Sequence, residues 1–312
     1  MQIVLKNDIK VNMQTEQISI GPVRLIIGKN GAKFPFCNSL FVEAAGLIID
    51  PSSNRAILET LYDAGKIKTV CLTHWHEDHF RYFYLLENCQ YWISESDSVP
   101  LSSSQAFIKW YGIDSPEGKD LRKMIQAKMA SEIRFKDRIP DRLLTDGQVI
   151  DLGSVSMEVI ASPGHSPGHL SFFFREPAIL FLGDYNLDEF GPWTGDPNSD
   201  IDQCIATIKR LSKIPAEMLI AEHRVRPIET GAERLWEQYL ETIAQREGKI
   251  LKYLTEPRTM DEILDQWIIL EKPKEPINYF RLGEKAHIEK HLRRLLKTGA
   301  IIHEDGRYHS SG

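Results

Sequence analysis

Cysteine is scarce in this chain of 312 residues: Cys37, Cys71, Cys89 and Cys204 stand far apart and form no CxxC pair. That excludes a disulfide scaffold and a thiolate zinc site. Their mostly apolar neighbours read them as buried free thiols of a reducing compartment, which places the protein in the cytoplasm. Long apolar runs are missing as well. No stretch approaches the roughly 20 residues of a membrane span, and MQIVLKNDIKVNM (1–13) has no signal-peptide core, so no membrane partner is expected. Low-complexity segments and internal repeats are absent. So is a strong charge of one sign: the formal net charge is −6, with the acidic excess in residues 1–244 and a slightly basic 245–312. An acidic main body argues against a polyanionic partner.

What is present is an ordinary globular composition, 42% hydrophobic and 26% charged, at a length that favours two units. VRLIIG (23–28), SLFVEA (39–44) and GLIID (46–50) read as short strands. PSSNRAILETLYDAGK reads as a helix capped by Ser52 or Ser53 and closed by Gly65, and IKTVCLT (67–73) as a buried strand. Strand, helix, strand makes an α/β (α+β) unit. A further helix is expected over Phe80–Leu86. Residues 98–145 read as a helical insertion, after which VIDLG, VSMEVIAS, HLSFFF and AILFLG return to strands, followed by a helix (201–213) and the strand EMLIAEH (217–223). Beyond residue 230 the pattern changes to three helices, one opened by the capping box Thr259-x-x-Glu262, and a hairpin around Asp305-Gly306. The expected division is a catalytic domain over 1–230 and a winged-helix-like domain over 231–312.

Histidine is also rare in the first 230 residues, and its six occurrences fall in three short segments at the ends of apolar runs: HWHEDH (74–79), SPGHSPGH (162–169) and AEH (221–223). Imidazole and carboxylate ligands in an HxHxDH pattern suit zinc, iron or manganese. Asp184, at the end of LFLGD, would be a costly unpaired carboxylate unless a cation met it. Counting ligands for two ions gives His74, His76 and His165 for one and Asp78, His79 and His223 for the other. Asp184 is shared, and with Asp78 it is a catalytic carboxylate. Two such ions supply a bridging hydroxide at neutral pH and polarise a substrate oxygen, so the chemistry indicated is hydrolysis. His169 reads as a supporting residue that orients the loop.

The segments THWHEDH (73–79), SPGHSPGH (162–169), GD (183–184) and EH (222–223), in that order, resemble the metallo-β-lactamase superfamily over about residues 20–230. The resemblance implies a four-layer αββα sandwich with the metals at one edge between two sheets, and two divalent ions, zinc first, with iron or manganese compatible. The same ligand set follows from the family pattern.

Substrate walls are expected at 28–38, 98–145 and 188–200, with Trp193, Tyr185 and Phe190 as contacts; Trp193, between Gly-Pro and Thr-Gly, has few local packing partners. Asp188, Asp196 and Asp200 make that rim acidic. A thiolate leaves without a proton, so a small thioester or activated ester, as in the glyoxalase II branch, is the simpler substrate. The C-terminal unit instead resembles that of an endoribonuclease branch, whose helix would offer His287, His291, Arg294 and Lys297 to RNA phosphates. A metal-bound sensor without turnover is a third reading. Self-association is left open.

Overall fold

A computed structural model describes residues 2–5, 9–12, 16–114, 118–229 and 231–311. The expected domain boundary at residue 230 and residues 115–117 of the insertion lie outside them.

Nine strands form the first sheet in chain order: β1 (Gln2–Leu5), β2 (Ile9–Asn12), β3 (Gln17–Ile20), β4 (Val23–Ile26), β5 (Ser39–Val42), β6 (Leu47–Ile49), β7 (Thr69–Cys71), β8 (Gln90–Ser94) and β9 (Arg142–Leu144). Pairing is antiparallel up to β6 and parallel from β6 to β9. The second sheet holds β10 (Val149–Asp151), β11 (Ser156–Ala161), β12 (Leu170–Phe174), β13 (Ile179–Phe181) and β14 (Met218–Ile220), antiparallel except for the parallel β13–β14 pair.

Side-chain alternation along the strands sorts the core into layers. Leu40 and Val42 of β5 face inward, where they join Met157, Val159, Phe172 and Phe181 of the second sheet. Phe41, between them, faces outward into a cluster with Ile48, Val70, Leu58, Phe107 and Ile125. Those last three residues belong to α2 (Arg55–Asp63), α4 (Ser104–Trp110) and α5 (Lys119–Lys128). On the far side Leu180 and Leu182 meet Ile208 and Leu211 of α6 (Ile201–Leu211) and Trp236 and Tyr239 of α7 (Ala232–Tyr253). Helices, sheet, sheet, helices is the four-layer order expected. Two further one-turn elements are α1 (Lys29–Ala32), which is left-handed at Asn30 and Gly31, and α3 (Glu95–Ser98).

Several local expectations are corrected. The cap of α2 is Asn54, whose side chain accepts from the Ala56 and Ile57 amides at 3.1 and 3.4 Å. Ser52 and Ser53 are buried instead, donating their own amides to Ser39 Oγ. Phe80–Leu86 contains only a 3₁₀ turn at Phe83–Leu85. The Arg81 amide donates to Ser52 Oγ and the Tyr82 amide to Pro51 O, and the Phe83 amide bonds back only three residues, to Phe80 O. The insertion is helical through a π turn at Met129–Ile133, but its end contributes β9 to the first sheet.

After α7 come α8 (Met260–Leu264), opened by the Thr259–Glu262 capping box, α9 (Ile277–Lys297), and the hairpin β15 (Ile301–Glu304) and β16 (Arg307–Ser310). They share a small apolar core of Ile250, Leu264, Ile288, Leu292 and Ile301. Among the described residues no helix is long and apolar enough to cross a membrane.

Candidate metal centre

All seven expected ligands converge at the ends of strands. β7 runs into His74–His79, the β11–β12 turn carries His165, β13 ends before Asp184, and β14 before His223. His74 Nε2, His76 Nδ1 and His165 Nε2 face one another at 2.9, 2.9 and 3.1 Å. With Asp184 they form one four-residue group; Asp78, His79 and His223 form a second. Asp184 stands between them. Its Oδ2 lies 3.3 Å from His165 Nε2, whereas its Oδ1 lies 3.4 Å from His79 Nε2 and 3.3 Å from His223 Nε2.

The opposite nitrogen of each imidazole is committed elsewhere, which fixes how the ring faces the centre. His74 Nδ1 meets Thr73 Oγ1 at 2.9 Å, and that hydroxyl donates to Asp50 Oδ2 at 2.6 Å. His79 Nδ1 lies 3.0 Å from Asp50 Oδ2 and also touches Glu222. His165 Nδ1 donates to Trp193 O at 3.2 Å and His223 Nδ1 to Ala32 O at 2.6 Å. His76 turns its Nε2 to Asp196 Oδ2, 3.1 Å away. What remains pointing inward is a ring of ligand atoms. Two of these buried atoms, His79 Nε2 and Asp184 Oδ1, have no hydrogen-bond partner among the described residues. Orphaned nitrogen and carboxylate oxygen facing each other are the donor set a divalent cation satisfies, so the residues fit the expected metal.

Electrostatics divides the imidazoles. Burial pulls His165 down to about 4 and His74 well below its ordinary value. Burial opposes protonation of His76 too, but the Asp196, Asp78 and Asp184 carboxylates outweigh it and hold the ring up at about 9. His79 and His223 are raised in the same manner, by Glu222 and by Asp184 respectively. Glu222 is pushed up by burial and by the neighbouring Asp50.

His169 lies beneath the centre. Its Nδ1 meets Ser162 Oγ at 2.7 Å, and its Nε2 accepts the Asp184 amide at 3.1 Å, which aims the shared carboxylate. Gly183, at φ +62°, packs so closely on this ring that a Cβ there would collide with it.

The aromatic contacts expected for substrate are placed differently. Tyr185 is 1% exposed and donates its hydroxyl to Pro163 O, so it is part of the core. Phe190 packs against the C-terminal core under the Arg246 guanidinium. Trp193 stands edge-on to His287 of α9 with centroids 4.7 Å apart, and its indole donates to Asp196. Its packing partner is supplied by the far end of the chain, out of reach of a local reading. Nor does the expected phosphate-binding face of α9 look outward. His287 and His291 are buried and Arg294 pairs with Glu247, so that Lys297, 77% exposed beside Asp202, is the one of the four left facing solvent.

Residues 94–223, which include His165, Asp184 and His223, match the family model of the metallo-beta-lactamase superfamily. The chain carries a metallo-beta-lactamase domain. Human acyl-coenzyme A thioesterase MBLAC2 is 27% identical to this chain over 197 residues, covering 58% of it and 68% of the relative. The hydroxyacylglutathione hydrolase GloC of Haemophilus influenzae is 24% identical over 181 residues, 54% of the chain and 78% of the relative. In fold, the metallo-beta-lactamase family protein TTHA1429 of Thermus thermophilus aligns with a TM-score of 0.72 at 20% identity, over 93% of this chain and 98% of its own. A beta-lactamase domain protein of Burkholderia ambifaria aligns with 0.69 at 17% over 99% of both. The protein is a metal-dependent hydrolase.

Residues that sequence reasoning left without a role are Asp50, Glu222 and Thr73, and Asp196, read there as part of an acidic rim, faces His76. Asp50 carried the same signal as Asp184, a carboxylate at the end of an apolar strand.

Proposed function

We propose that the protein is a dinuclear hydrolase of small thioesters, with His74, His76 and His165 on one ion, Asp78, His79 and His223 on the other, and Asp184 bridging. The observation that carries the reading is the division of Asp184, one oxygen toward each histidine group. Divalent ions held there, zinc first, would acidify a water at neutral pH and polarise the carbonyl of a substrate. The chain's own part is orientation: Thr73 and Asp50 hold His74 and His79, and the Trp193 and Ala32 carbonyls hold His165 and His223. A thioester is favoured because its thiolate leaves without a proton, and because the two relatives above are named for hydrolysis of acyl-coenzyme A and of hydroxyacylglutathione. Catalysis is assigned to residues 1–230, and the winged-helix-like unit of 231–312 serves as a support. A cytoplasmic location accords with the four unpaired cysteines.

Metal analysis of protein purified without added ions, combined with a panel of acyl thioesters, lactones and phosphodiesters, tests the reading. About two divalent ions per chain and turnover of thioesters are expected. Asp184→Asn should lower the metal content and reduce kcat/KM by at least about a hundredfold. Full activity in that variant, or turnover of phosphodiesters alone, would overturn the proposal.

A further inference from the structure

A groove of about 450 Å³ opens between α5 and the first turns of α9. Met124, Ile125 and Ala127 form one wall, Tyr279 and Phe280 the other, and Phe34 closes one end. Phe34 is 52% exposed, a large ring left in water at a groove mouth. Apolar surface of this kind at a groove mouth is characteristic of ligand contact.

Three connections tie the groove to the metal centre. Lys128, on its rim, donates to Glu77 Oε1 at 2.6 Å, and Glu77 lies in sequence between His76 and Asp78. Phe34 follows by two residues the Ala32 carbonyl that receives His223 Nδ1. The third is electrostatic: the Tyr279 phenol is pushed up first by its burial and then by the Glu77, Asp196 and Asp78 carboxylates. The charged groups on the rim are already engaged. Lys128 pairs with Glu77, Glu132 with Arg81 at 3.0 Å, and Glu275 accepts the Ile277 amide at 3.0 Å. Aromatic and aliphatic surface is what the groove has left to offer an occupant.

We propose that this groove binds the apolar acyl chain of the substrate, so that the protein selects thioesters of longer, unbranched acyl groups over short or polar ones. The inference rests on the thioester reading above. Each methylene drawn from water into such a groove should tighten binding about threefold, somewhat below the full transfer value because the groove is open on one side.

The test uses the metal-loaded full chain and two series built on coenzyme A: acyl thioesters as substrates and the matching S-alkyl thioethers, which cannot be hydrolysed, as calorimetric ligands, each from two to twelve carbons. Affinity for the thioethers and kcat/KM for the thioesters should rise together with length. Ala127→Trp, which fills the groove from an exposed position on α5, should cut the ratio of long- to short-chain kcat/KM at least tenfold, and Phe280→Ala should lower it less. Circular dichroism and metal content establish that both variants fold. A flat dependence on chain length, or a gradient that survives in both variants, would overturn the groove. A gradient in thioether affinity without turnover of any thioester would uphold the groove and strike the hydrolase reading instead.

Discussion

Asp97 illustrates how a single carboxylate outside the metal centre shapes the site. It is fully buried, accepts the Gly168 amide at 2.7 Å and the Ser166 hydroxyl at 2.5 Å, and thereby holds the turn that carries His165. Burial raises its pKa to about 6 despite these bonds. The fold therefore prefers the neutral acid. The group's contribution is complete below the ordinary pKa of 3.8 and is lost as pH rises through 6, leaving a penalty of about 3 kcal/mol at neutral pH. Asn imitates the neutral form, so the stability of Asp97→Asn relative to the parent should shift in the variant's favour by about 1–2 kcal/mol between pH 5 and pH 8, the rest of the penalty having accrued below pH 5. Urea unfolding at the two pH values measures it, and a pH-independent difference would count against this account. Sequence context does not single the residue out, because Asp97 in SESDSV looks like an ordinary surface carboxylate. Asp184 and the three histidine segments, by contrast, are legible as candidate ligands because polar residues at the ends of apolar strands need a partner.

At the scale of elements the loop 188–200 is the part whose role sequence reasoning misjudges. Its composition suggests a substrate wall with an acidic rim. In the structure it is a brace: Asp196 faces His76 and the Trp193 carbonyl receives His165, so two ligands are aimed by it. The loop is in turn clamped by the last two long helices. Arg246 of α7 donates to Pro192 O at 3.0 Å, His287 of α9 meets Thr194 Oγ1 at 2.8 Å, and Lys290 donates to Asp196 O at 2.5 Å. All of these partners lie far along the chain from the loop, which is why local periodicity and spacing could not reveal them. Orienting groups of this sort are typically worth about 10–100-fold in metal affinity. Asp196→Asn should weaken binding by about that factor and Lys290→Met by less, as read by competition with a chromophoric chelator. Unchanged affinity in Asp196→Asn would refute the bracing role.

For the molecule as a whole, the same contacts decide what the C-terminal unit can do. Its elements follow the expected order of three helices and a hairpin, and the capping box at Thr259 and the turn at Asp305-Gly306 are both readable from sequence. Its surface is not, since amphipathicity tells that a face is buried without telling against what. Here α9 turns His287, His291 and Lys290 inward onto the catalytic layers, and Arg294 is held by Glu247 and Asp202. Phosphate contact through that face would require the helix to leave its seat. The full chain should therefore show no specific affinity for RNA, with a slope of log K against log salt near zero, whereas each phosphate contact would add about −0.7 to −0.9. Fluorescence anisotropy across a salt series measures it, and a slope equivalent to several contacts would reverse the conclusion.

The clamp on the 188–200 loop also sets a schedule for the newborn chain. Thr194 and its anchor His287 are separated by 93 residues, and at about 5–20 residues per second the ribosome needs roughly 5–20 s to cross that interval. By the later part of it every candidate metal ligand has already been made, yet the brace behind His76 and His165 has only Arg246 of α7 to lean on. A binding site that reaches its final stiffness only when its last long helix arrives is tightest in the finished protein, and a chain stopped short of residue 277 would hold its ions loosely.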